Sequence, residues 1–97
     1  MAYNHGAIDA ALAAAVGDEP LLIAELRLAF VASVEQAVAV MTAATDAEEW
    51  DIAARRLKGL AASFGAVRLM ALATTAAAGE PQDAVILNDI HEAMADL

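Results

Sequence analysis

The chain has 97 residues, 61% of them hydrophobic, with no cysteine and a formal net charge of −9 at pH 7. That length fits one domain with its own core, and the missing thiol excludes a disulfide framework, a thiolate metal site and a catalytic cysteine. The acidic balance disfavours nucleic acid and anionic lipid as partners, and no run of about 18 apolar residues is free of charge, so no membrane span is expected.

Much of the apolar fraction is alanine, and Gly and Pro are few, which reads as all-α. The opening stretch has no basic segment ahead of an apolar one, so it makes a poor signal peptide and a cytoplasmic location is expected. A short helix is predicted at about 6–16. The turn Gly17-Asp18-Glu19-Pro20 ends it, with Asp18 a candidate N-cap and Pro20 in the next first turn. A long helix follows at about 19–44, carrying Ile23, Leu26, Phe30, Val34, Val38 and Met41 at three- and four-residue steps.

Thr45 and Glu48 have capping-box spacing and predict a helix at about 46–63. Gly65 breaks it, and a helix at about 66–78 follows. Gly79 suits that helix's C-terminus and Pro81 the start of a last helix at about 81–96, with Ile86, Leu87, Ile90, Met94 and Leu97 on its apolar stripe. Met41, Met70 and Met94 read as core filler. Short connections make neighbouring helices antiparallel. The expected fold is a single all-α domain over residues 1–97, an up-down-up-down four-helix bundle with a short extra N-terminal helix.

The segment at about 46–63 holds three of the five basic residues, Arg55, Arg56 and Lys58, within four positions. At about 100° per residue, Trp50, Ala53, Ala54, Leu60, Ala61 and Phe64 gather around Leu57 as a buried face. Arg55 then lies about 160° from Leu57, at the pole facing water. Glu48, Asp51, Ile52, Gly59 and Ala62 surround it, while Arg56 and Lys58 flank the buried face on opposite sides. An outward mid-helix glycine costs about 1 kcal/mol relative to alanine. Small and apolar residues beside cations suit a surface that a partner approaches closely. The plainer reading is a solvated face with scattered apolar residues.

The run Ala54-Arg55-Arg56-Leu57-Lys58-Gly59, followed after five residues by Gly65-Ala66 and then Leu69, resembles the signature of the histidine phosphotransfer (HPt) family. In that family the order is histidine, any residue, Leu-Lys-Gly, five residues, Gly-Ala. The Gly17–Pro20 turn, Leu26, Phe30 and Trp50 also fit, and the resemblance covers about residues 8–96. It implies a four-helix bundle whose histidine takes a phosphoryl group from an aspartyl phosphate on a receiver domain. The family's histidine slot is occupied here by Arg55. His5 and His91 stand far from the Lys58-Gly59 step and read as surface histidines.

A neutral imidazole is nucleophilic near pH 7, whereas a guanidinium stays protonated and has no lone pair to offer phosphorus. The resemblance therefore implies a pseudo-HPt module with no catalytic residue. It would dock the receiver domain of a response regulator or hybrid kinase through Ile52, Arg55, Arg56, Lys58, Gly59 and Ala62. Lys58 in the family helps to neutralise the phosphoryl group, and Gly59 lets the receiver approach. Two other readings stay open: a working phosphotransfer protein seen as a His-to-Arg variant, and a structural or dimerisation module of helices. No enzyme activity, cofactor or metal is predicted. Glu48, Glu49 and Asp51 read as acidic charges favoured at a helix N-terminus, and the two histidines lack metal-ligand spacing. A monomer is expected.

Overall fold

The computed structural model describes residues 5–17 and 19–97, with side chains from residue 10 onward apart from residue 18. The predicted cap at Asp18 and the side chain of His5 fall outside the described residues. The described chain is helical throughout: α1 (His5–Val16), α2 (Pro20–Ala43), α3 (Ala47–Ser63), α4 (Val67–Ala78) and α5 (Ala84–Ala95). Contacts run from α2 to α3, α3 to α4 and α4 to α5, and α2 also meets α5; α1 rests on α2.

The core follows the predicted stripes. Phe30, Val34, Val38 and Met41 of α2 are buried, as are Leu69 of α4 and Ile86 and Ile90 of α5. Ile23, Leu26, Met70, Leu87, Met94 and Leu97 pack half-buried against them. Among the described residues nine of the nineteen buried side chains are alanine, so the helices approach closely and the few large residues fill what remains. Trp50 and Phe30 are the largest of these. The Trp50 indole N–H donates to the Ala76 carbonyl at 2.7 Å, tying α3 to the C-terminal turn of α4. The Phe30 and Phe64 rings stack with centroids 4.4 Å apart, tying α2 to the end of α3.

Capping departs from expectation in two places. The α3 cap is Asp46, not Thr45: its carboxylate accepts from the Glu49 N–H at 2.8 Å, and Glu49 reaches back toward the Thr45 N–H. A carboxylate one residue nearer the helix offers the same three-residue span and complements the helix dipole. At α5, Pro81 is not the first helical residue. Asp83 caps Val85 and Ile86, and the helix starts at Ala84.

At the end of α3, Gly65 takes φ +72°, its N–H donates to Ala62 and that of Ala66 to Ala61, a Schellman closure that only a residue without Cβ adopts freely. Gln82 takes φ +63° despite its side chain. Its amide donates to the carbonyls of Thr42 at 2.8 Å and Ala44 at 2.6 Å. The side chain thus satisfies carbonyls that the end of α2 leaves without helical partners. Two hydrogen bonds of about 1 kcal/mol each offset a left-handed backbone that costs about 1–3 kcal/mol. Gln82→Ala should lower stability by about 1–2 kcal/mol in urea unfolding, whereas a decorative surface glutamine would give less than about 0.5 kcal/mol.

Candidate functional site

The outer face of α3 is set by the burial of its opposite side. Trp50, Ala53, Ala54, Leu57 and Ala61 are buried, with Leu60 and Phe64 half-buried at the flanks. The remaining positions are forced outward by helical period. Ile52, Arg55, Arg56, Lys58, Gly59 and Ala62 are all exposed, so the six predicted contact residues share one accessible side of one helix.

Arg55 stands at its apex with 74% of its side chain exposed, and its Nε lies 2.9 Å from an Asp51 carboxylate oxygen one turn earlier. Arg56 leans toward α2, where its guanidinium donates to the Gln36 side-chain oxygen at 3.4 Å. Among the described residues Lys58 makes no hydrogen bond or ion pair. Ile52 is 61% exposed. A Cβ placed on Gly59 would meet nothing within 4 Å, so the bundle itself has no steric need of a glycine there. The Ser63 hydroxyl donates to the Gly59 carbonyl at 2.9 Å.

Asp51 was assigned only a helix-dipole role by sequence; the structure gives it an ion pair. Its four-residue offset from Arg55 is the signal that pairs such residues on a helix. The Arg56–Gln36 bond carried no such local signal, because it depends on how α2 and α3 meet. Arg68 of α4 is likewise engaged, near Glu92 of α5 at 3.7 Å and near Asp96, the C-cap of α5, at 3.5 Å. Exposed pairs of that kind contribute at most about 1 kcal/mol.

Elsewhere α2 and α5 leave an open groove of about 550 Å³, floored by Val38, Ala39 and Met94 and edged by Glu35, Thr42 and His91. His91 is exposed there and takes no part in the α3 face. Among the described residues no group of three or more His, Cys, Asp or Glu could hold a metal ion, and no helix is long and apolar enough to cross a membrane. No protein-family model, curated protein or solved structure matches the chain.

Proposed function

We propose that the protein is a pseudo-HPt module: it docks the receiver domain of a response regulator through the outer face of α3 and does not relay phosphate. The fold that goes with this reading is an up-down-up-down bundle of α2–α5, α1 being the short extra helix. Its support is that sequence-adjacent helices touch and that α2 meets α5. The observation carrying the functional reading is the pairing of Arg55 at the exposed apex with Gly59 one turn on, where the bundle leaves space for a side chain and the sequence supplies none.

An unneeded glycine in mid-helix costs about 1 kcal/mol relative to alanine. Close approach by a partner accounts for that cost; a purely solvated face does not. The local cations suit an acidic partner in spite of the chain's overall charge. At physiological ionic strength charges beyond about 8 Å are largely screened, so the residues at the contact govern the attraction. Arg55 would meet the receiver's acidic pocket with charge-assisted hydrogen bonds.

The test is to titrate receiver domains from the same genome, with and without beryllofluoride, against the wild-type chain and Gly59→Gln. At least one receiver should bind saturably. Gly59→Gln should weaken that binding by about tenfold or more, equivalent to 1.4 kcal/mol. Its melting temperature should hold or rise by a few degrees, since glutamine is the better helix former. Binding by no receiver, or binding indifferent to Gly59→Gln, overturns the reading.

Self-association is favoured by a different observation: Leu21 and Leu28 of α2, seven residues apart on one side of the helix, are 81% and 70% exposed. Sedimentation across a concentration series separates the two readings. A dimer that covers Arg55 would remove the docking face.

A further inference from the structure

We propose that Asp51 is a built-in competitor for Arg55, so that the α3 face selects a partner presenting a cluster of anions over one presenting a single carboxylate. This rests on the docking reading above. The three cations of the face do not start equal. Arg55 is already engaged at 2.9 Å by a carboxylate from its own helix. Arg56 holds a neutral amide oxygen on α2 at 3.4 Å. The Lys58 ammonium has no partner among the described residues.

A partner carboxylate that takes the Nε–H edge of Arg55 replaces an equivalent one, and one that takes the open Nη groups meets a charge that Asp51 has already partly neutralised. One charge-assisted hydrogen bond is lost and one is gained, and the exchange comes out close to neutral. A net gain has to come from a second anion reaching Lys58, or a third reaching Arg56. The released Asp51 then faces those anions and repels them, which raises the threshold further. Both members of the pair are accessible, Asp51 at 38% and Arg55 at 74% side-chain exposure, so the exchange needs no unfolding of α3. Asp51 is thus a specificity-determining residue that acts through Arg55.

The full chain, labelled with nitrogen-15, is titrated at low ionic strength with two probes, acetate and a poly-aspartate peptide. Asp51→Asn, Arg55→Ala and the double variant complete the cycle, and the same four proteins are titrated with any receiver that binds. Asp51→Asn should tighten peptide binding in both backgrounds, since each loses a repelling carboxylate, but by about threefold more where Arg55 is retained than where it is alanine. Acetate should barely move the Arg55 side-chain resonance of the unsubstituted chain. Equal gains in both backgrounds would assign the effect to bulk charge and overturn the proposal, as would no gain in either. If the peptide cycle shows coupling while no receiver binds, the docking reading falls and the competitor stands. If a receiver binds with no coupling between positions 51 and 55, the competitor alone falls.

Discussion

Arg55→His should give the proposed module a nitrogen nucleophile on α3, so that it takes a phosphoryl group from an activated receiver. The substitution returns a nitrogen lone pair at a position whose side chain is 74% exposed. The imidazole nitrogen attacks phosphorus, the new N–P bond forms, and the O–P bond to the receiver's aspartate breaks to release a carboxylate. Lys58 stands one turn away on the same helix, exposed and available to neutralise the transferred group. The open space above Gly59 admits the donor. Because the site is at the surface, stability should change by less than about 0.5 kcal/mol.

The measurement is transfer of radiolabel from a phosphorylated receiver, with loss of the label in acid. The unsubstituted chain should stay unlabelled, for a guanidinium has no free pair. Acid-labile phosphate on the unsubstituted α3 would overturn the pseudo-HPt reading. A variant that stays unlabelled would mean that the site has diverged beyond one residue.

Trp50→Ala should have the largest effect on stability, about 3–5 kcal/mol. A domain of this size has about 5–15 kcal/mol to lose. Nine of the nineteen buried residues among those described are alanines, whose methyl groups cannot close a tryptophan-sized void, and Trp50 is 1% exposed. The indole also supplies the donor for the Ala76 carbonyl at 2.7 Å. Trp50→Phe divides these contributions: the ring largely fills the space, the hydrogen bond is lost, and the cost should fall to about 1–2 kcal/mol. Urea unfolding followed at 222 nm reads both. A loss below about 1.5 kcal/mol for Trp50→Ala would mean that the core collapses around the gap.

Helical period and punctuation carried most of the fold. Leu57 as the centre of the buried face of α3 placed Trp50, Ala53, Ala54 and Ala61 inside and all six proposed contact residues outside, because one turn geometry governs both. Helix ends were less legible. Thr45 and Asp46 are each chemically able to start α3, and Pro81 and Asp83 to start α5; in both cases the aspartate is the residue whose carboxylate takes the first-turn N–H groups. Gln82 had no signal at all: its partners are the carbonyls of Thr42 and Ala44, some forty positions earlier, and only the assembled bundle brings them near. At the proposed site, the exposure of the six residues was legible from period. The states of the cations were not, since the Arg56 tie to Gln36 depends on the crossing of two helices.

The two side-chain ties to carbonyls, from Trp50 to the end of α4 and from Gln82 to the end of α2, fasten the extremity of the molecule from which α3 rises. Arg55 stands eight residues, about 12 Å, along that helix from Ala47. Recognition through α3, as proposed, would therefore take place on a post clamped at its foot rather than on a yielding loop. Little ordering has to accompany the encounter. Which visitor stays is then decided by the chemistry displayed along the post, and not by any reshaping of the post itself.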